Sequence, residues 1–284
     1  MGFVDKVALP AALWRHKMVR AAVAGIAGRM GSRVAQILGD TEEVELAGGF
    51  EFSRHPLVGK DLAEAIGGSP TGKQIGGRIE DVLEEADVII DFTNAASSLE
   101  HLRVASARGV SMVIGSTGFA REQLAEAAGL ASAVSCVISP NMSVGVNIMF
   151  KMVAEAARLL GDSCDIEIVE AHHRFKKDAP SGTAMKLGQI VAEALDRDLG
   201  QVGVYGRHGM IGERTAPEIG IQSVRGGDIV GEHTVIFAAL GERIEIVHRA
   251  HSRDNFARGA IRAARWVIGR PGGLYDMSDV LGIK

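Results

Sequence analysis

A mostly apolar stretch, Val19 to Ala24, runs straight into Gly25-Ile-Ala-Gly28-Arg29-Met30-Gly31, after which Met30, Val34, Ile37 and Leu38 recur at helical spacing. A strand that turns through glycines into a helix points to an α/β plan, because parallel strands need a crossover, usually a helix, to connect them. Such glycines permit a tight turn and close approach of a pyrophosphate, whose charge the helix N-terminus attracts. Gly25, Gly28 and Gly31, with Arg29 and Met30 between them, are therefore candidate cofactor residues. Their G-x-x-G-x-x-G spacing departs from G-x-G-x-x-G, so the next strand is the deciding signal. Val44 to Phe50 is apolar and ends at Glu51, twenty residues beyond Gly31, where a carboxylate accepts hydrogen bonds from ribose hydroxyls.

The alternation then continues. Residues Phe52 to Arg78 are rich in Gly and Pro and read as a loop region on the rim, with a short helix near Leu62. Ala86 to Phe92 is the near-continuous apolar run of a strand covered on both faces, and Asp91-Phe92-Thr93 stands at its C-terminal edge, where open α/β sheets bind ligands. That location makes Phe92, Thr93 and Asn94 candidates to face a cofactor. Helix Ala95 to Arg108, strand Val110 to Ile114, the turn Gly115-Ser116-Thr117-Gly118, helix Arg121 to Leu130 and strand Val134 to Ser139 complete a doubly wound sheet with every turn on one edge.

From Val144 the pattern lengthens into one helix to about Leu160, and its character then changes. Ile219 to Arg225, Ile229 to Leu240 and Arg243 to Arg249 alternate and are β-branched. The separators, Gly226-Gly227-Asp228 and Gly241-Glu242, have tight-turn chemistry, so these strands are expected to form an antiparallel sheet. A sheet this apolar beside one long helix leaves a face to cover, which points to self-association. Asp254 to Ile268 reads as a helix with Phe256, Ala260, Ile261, Ala264 and Val267 inward.

Acid/base groups concentrate between Glu170 and Gly188. Asp165 to His173 has the period of a strand, so His172 and His173 end it and face opposite ways. Arg174, Lys176 and Lys177 follow. Pro180 disfavours a helical Ala179 and suits a helix start, so Ser181, Gly182 and Thr183 open a helix in which Ala184, Leu187, Ile190, Val191, Ala194 and Leu195 form the packed side. A strand ending in histidine, a cationic loop and a helix N-terminus describe a pocket for a small carboxylate-bearing molecule.

Composition narrows the field further. A chain of 284 residues, 46% hydrophobic and 23% charged, buries one large core or two moderate ones, and two domains fit the change of pattern at Val144. A net charge of −4 leaves no basic footprint for nucleic acid. Cys136 and Cys164 lie far apart in strand-like apolar runs, which favours buried reduced thiols and a cytoplasmic setting. No metal-ligand spacing is visible, and the longest apolar runs fall short of a membrane span. Val7 to Trp14 is apolar between Lys6 and Arg15-His16-Lys17, but it is short and interrupted by Pro10, so it reads as an extension rather than a signal peptide.

The segment EAHHRFKKDAPSGTA resembles the signature of the dihydrodipicolinate reductases. GIAGRMG at Gly25, DFT at Asp91, GSTG at Gly115, PNMSVGVN at Pro140 and GDIVGEHT at Gly227 resemble that family in the same order, from Val19 onward. The resemblance implies a doubly wound Rossmann-like domain, residues 1–143 with 254–284 returning to it, and an inserted α+β domain, residues 144–253, with a mixed or antiparallel sheet for substrate binding and oligomerisation. It implies NADH or NADPH as hydride donor, a cyclic imine dicarboxylate as the small-molecule substrate, and a homotetramer. Gly115, Ser116 and Thr117, with Ser139, Asn141 and Met142, would line the nicotinamide. His172 and Lys176 match the family's acid pair, while His173, Lys176, Ser181, Gly182, Thr183 and Arg253 would hold the carboxylates. The sequence does not decide which histidine donates the proton, nor between NADH and NADPH. Two rivals keep the glycine turn and Glu51: another two-domain dehydrogenase of a small carboxylate, and a dinucleotide sensor without the acid/base segment.

Overall fold

The computed structural model describes residues 18–283, so the apolar run Val7 to Trp14 lies outside the described residues. The chain opens with β1 (Val19–Ala24), α1 (Arg29–Gly39), β2 (Val44–Phe50) and a short α2 (Ala63–Ile66). It continues with β3 (Val88–Asp91), α3 (Ala95–Arg108), β4 (Ser111–Ile114), α4 (Arg121–Leu130) and β5 (Ser135–Ile138). Every pairing among these strands is parallel, and β3 is buried along its whole length, as a strand covered by helices on both faces must be. Two glycines set the first turn. Gly25 has a φ of +65°, and a Cβ on Gly31 would lie 2.0 Å from the Gly25 carbonyl oxygen, so α1 can sit this close to β1 only with glycine there.

The second half begins with α5 (Val144–Leu160), capped by the Ser143 hydroxyl, which accepts from the Val146 N–H. Then come β6 (Asp165–His172), α6 (Gly182–Ala194), a short α7 (Leu199–Val202), β7 (Gly203–Val204), β8 (Ile219–Arg225), β9 (Gly231–Ala238) and β10 (Arg243–Ala250). The strands form a five-stranded sheet in the order β10-β9-β6-β8-β7.

This order corrects the expectation of an all-antiparallel set. Only β9 and β10 form a hairpin, whereas β8 runs parallel to β6, and β6 separates it from β9. The glycines after Arg225 do not reverse the chain onto its neighbour; they carry it around the end of β6. There Gly226 N–H donates to the His172 carbonyl at 3.0 Å and Arg174 N–H donates to the Gly227 carbonyl at 3.2 Å. The expected strand from Ile229 accordingly starts at Gly231.

One face of this sheet carries Ile166, Ile168, Ile219, Ile221, Val235 and Phe237, which pack against Met149, Val153, Leu187 and Val191 of α5 and α6. By the strand register the opposite face carries Val169, Ala171, Val224, Thr234 and Val247, of which Val224 and Val247 are exposed.

The chain then returns through α8 (Asp254–Val267) to the first sheet. Ala257, Ala260, Ile261, Ala264 and Val267 join Ala21, Val23, Val34, Ile90 and Val113 in one core. A three-residue strand that the sequence did not signal, β11 (Gly273–Tyr275), pairs with β5, and α9 (Met277–Leu281) follows. The six-stranded order is β11-β5-β4-β3-β1-β2, so strand order reverses between β1 and β3. A ligand crevice opens at such a reversal. Among the described residues no helix is long and apolar enough to cross a membrane.

Candidate active site

At the reversal, the turns after β1 and β3 meet: a Cβ on Gly25 would lie 2.9 Å from Thr93 Cγ2. Gly28, the N-cap of α1, has no side chain to satisfy the first turn, which leaves that turn's N–H groups for a ligand. Glu51 Oε1 accepts from the Ala27 N–H at 2.9 Å, fixing the carboxylate at the mouth of the glycine turn. A hollow of about 470 Å³ borders Gly25, Glu51, Phe52, Arg78, Thr93 and Asn94. A bare helix end, glycines too close for side chains and a carboxylate twenty residues on fit a dinucleotide's pyrophosphate and ribose.

A second hollow, about 270 Å³, is lined by Arg29, Met30, Phe92, Gly115, Asn141, Met142 and Arg253, with Pro140 and Phe256. The Phe92 ring occupies the space a Gly115 side chain would need, with Cε1 2.2 Å from the position of such a Cβ. Several candidates here spend their side chains internally. Thr93 Oγ1 donates to Asp91 Oδ1 at 2.7 Å, Ser116 shares a hydrogen bond with Ser98 at 2.8 Å, and Ser139 Oγ donates to the Asn141 carbonyl at 2.9 Å. Met142 is buried in the first core. Thr117 stands exposed on its turn. A roomier cavity of about 920 Å³ lies between α1 and α8 and shares no lining residue with either hollow.

The other wall comes from the second sheet. On β6, Glu170 and His172 share the face of Ile166 and Ile168. Glu170 is fully buried, and its Oε2 accepts from His172 Nδ1 at 2.6 Å and from Arg225 Nη1 at 2.8 Å. Its Oε1 accepts from the Ser181 N–H at 3.0 Å and from Arg225 Nη2 at 2.7 Å. Burial opposes ionisation of Glu170, but Arg225, His172 and Ser223 outweigh it and hold the carboxyl at about 2.

Ser181 caps α6, its Oγ accepting from the Ala184 N–H at 3.1 Å, and the same hydroxyl lies 3.0 Å from His233 Nε2. The His233 and His172 rings meet edge-on, with centroids 5.3 Å apart. Burial pushes His233 down to about 3 and lowers His172 despite the opposing pull of Glu170, so both rings are neutral at neutral pH.

The loop after β6 holds the other predicted residues. His173 has a buried Nδ1 without a hydrogen-bond partner among the described residues, and its ring lies 6.2 Å from that of Phe175. Lys176 Nζ donates to both carboxylate oxygens of Asp178 at 2.9 Å. Arg253 precedes α8 at the N-cap and borders the smaller hollow. The two walls touch where Asn141 Nδ2 donates to Thr183 Oγ1 at 3.2 Å.

Sequence reasoning missed Arg225 and His233 and gave Glu170 no role. The signal was present in strand parity. Ile219, Ile221 and Arg225 share one face, as do Val235, Phe237 and His233, and a charged or imidazole group on an apolar face needs a partner.

Residues 19–142 match the family described as "Dihydrodipicolinate reductase, N-terminus", and residues 145–281 match "Dihydrodipicolinate reductase, C-terminus". The 4-hydroxy-tetrahydrodipicolinate reductase of Syntrophobacter fumaroxidans is 69% identical over 267 residues, which is 94% of this chain and all of that protein. The protein of the same name from Syntrophus aciditrophicus is 53% identical over the same coverage. Among solved structures, a dipicolinate-bound dihydrodipicolinate reductase from a Paenisporosarcina species superposes with a TM-score of 0.73 at 27% identity, covering 91% of this chain and 97% of that one.

Proposed function

The chain belongs to the dihydrodipicolinate reductase family, and we propose how its residues divide the labour of that family's reaction. The enzyme catalyses the NAD(P)H-dependent reduction that gives tetrahydrodipicolinate, in the diaminopimelate route of lysine biosynthesis. NADH or NADPH, when bound, supplies the hydride. Gly25, Gly28 and Gly31 with the N-terminus of α1 hold its pyrophosphate, and Glu51 holds the adenosine ribose. Arg29, Met30, Phe92, Thr93, Asn141 and the backbone of Gly115 to Thr117 and of Ser139 to Met142 shape the nicotinamide end.

The substrate's carboxylates sit on the N–H groups of Gly182 and Thr183, with Ser181 capping that turn and His173, Lys176 and Arg253 supplying further donors. Hydride addition to a conjugated imine drives electrons toward the ring nitrogen, so a proton has to arrive there or at the adjacent carbon. His172 handles that proton at Nε2, because its Nδ1 is engaged by Glu170. The substrate's negative charge raises the affinity of Nε2 for the proton, and the Lys176 ammonium stabilises developing charge. The contact between Asn141 and Thr183 carries this reading, since it makes the cofactor edge and the carboxylate cradle two walls of one cleft.

Of the expected units, 1–143 with 254–284 and 144–253, the described residues 18–143 with 254–283 form the dinucleotide-binding unit in this reading, and residues 144–253 the substrate and assembly unit. In support, α8 shares a core with β1 and α1, while a separate core is built from Met149 to Phe237. The exposed Val224 and Val247 on the open sheet face favour assembly of four copies through that face. Cytoplasmic residence is consistent with Cys136 and Cys164, both free and buried. Steady-state oxidation of NADH and NADPH with freshly generated 4-hydroxy-tetrahydrodipicolinate tests the assignment. Turnover with at least one cofactor is expected, and turnover with neither refutes it.

A further inference from the structure

Between His172 and Ser181 the chain runs through residues 173–180 without helix or strand, yet the proton-handling ring and the carboxylate cradle stand at its two ends. Something other than the loop has to set their relative position. The Glu170 carboxylate touches both: one oxygen lies 2.6 Å from His172 Nδ1 and the other 3.0 Å from the Ser181 N–H. Arg225 grips that carboxylate with two nitrogens and extends Nη2 to the Asp178 carbonyl at 2.8 Å. Asp178 in turn holds the Lys176 ammonium through its side chain. We infer that Glu170 and Arg225 are positioning residues for the reduction: the carboxylate fixes the ring of His172 and the first turn of α6 to each other, and the guanidinium locks the Lys176 loop onto the same group.

The inference rests on His172 being the residue that handles the proton. An ionised carboxylate only accepts hydrogen bonds, so the hydrogen of the neutral imidazole is on Nδ1 and the lone pair on Nε2 faces the exchange. Other titratable and charged groups surround the ring: Arg225 from β8, His233 from β9 with His248 behind it on β10, and Lys176 with Asp178 from the loop. Among the described residues none of these both carries negative charge and bonds to the ring, as Glu170 does. Replacing its charge by an amide removes support for the imidazolium and permits the opposite tautomer, since an amide can donate as well as accept.

The test compares the wild type with Glu170→Gln and Arg225→Lys as full-length enzymes. Ring ¹⁵N shifts of the wild type are expected to report the Nδ1–H tautomer at His172, and those of Glu170→Gln a loss of that preference. Glu170→Gln is expected to lower kcat by up to roughly 10⁴-fold, the scale found when the carboxylate behind a catalytic histidine becomes an amide. NADH affinity should hold, and the alkaline limb of the rate profile should move to lower pH. Arg225→Lys keeps the charge but not the fork, so it should lower kcat less and leave that limb in place. A wild-type ring in the Nε2–H tautomer overturns the inference, and so does a Glu170→Gln enzyme with an unmoved limb; the first of these needs no folded variant. Wild-type turnover in His172→Gln instead removes the histidine from the reaction, a result distinct from either tautomer outcome.

Discussion

Lys176 presents its ammonium to both carboxylate oxygens of Asp178, at 2.9 Å each, while the Asp178 side chain is largely exposed. Such a half-exposed pair is worth no more than about 1 kcal/mol, so an arriving substrate carboxylate can displace Asp178. Lys176→Ala should therefore lower kcat by about 10²-fold or more while leaving NADH binding intact, because the lost charge acts on the substrate. Single-turnover rates and cofactor titration separate the two effects, and unchanged turnover would take Lys176 out of the mechanism.

Acid should destabilise the fold well before carboxylates titrate. Folded His233 is held at about 3 by burial against an ordinary value of 6.5, so between those limits the unfolded chain binds a proton that the folded chain refuses. Its contribution is complete above pH 6.5 and declines as pH falls through that window, by up to about 1.4 kcal/mol per pH unit. His172 and His248, both lowered chiefly by burial, act in the same direction. Glu170, ordinarily near 4.5 and held at about 2, adds a further loss only below pH 4.5. Urea unfolding from pH 7.5 to 5 should show the slope, and His233→Gln should flatten it; an equal slope in the variant assigns the lability elsewhere.

Cofactor choice turns on the residues after Glu51. Phe52 follows it, exposed and edge-on to His55, and brings no charge to offset repulsion between Glu51 and a 2′-phosphate. NADH should be used at least as well as NADPH. Arg54 is exposed on this rim, and Arg54→Ala should weaken NADPH alone, by roughly 1–3 kcal/mol. A preference for NADPH that survives Arg54→Ala and vanishes in Arg29→Ala would move the phosphate site to the glycine turn.

Light scattering should return the mass of four chains. The paired substitution Val224→Asp and Val247→Asp puts charge on the open sheet face and should yield a smaller species that still binds NADH. Wild-type monomers at micromolar concentration would show that the face needs no partner.

How much of this the sequence disclosed depends on the range of the interaction concerned. The bounds of α3 and α4 fall where the sequence placed them, and α5 ends near the expected Leu160, because helical spacing and the Asn94 and Ser143 caps of α3 and α5 are written in neighbouring positions. The partner of β8 is not local information: the glycines at 226 and 227 mark a bend but cannot say whether the chain folds back on itself or steps over β6. The same holds for the site. His172 and the Ser181 cap are legible within one short segment, whereas Arg225 and His233 lie 55 and 52 positions from the groups they contact and reveal themselves only by parity. β11 is three residues long and has no period to read.

The closing of the first core by α8 has a consequence for how the protein is made. Val34, Ile90 and Val113 wait for Ala260, Ile261 and Ala264, so a ribosome releases the complete second sheet while the nucleotide-binding half still shows an apolar surface to solvent. Chains halted before Asp254 would carry every catalytic candidate and yet remain clients of chaperones and proteases. The return of α8 thus serves as the seal that turns a nascent chain into a durable one.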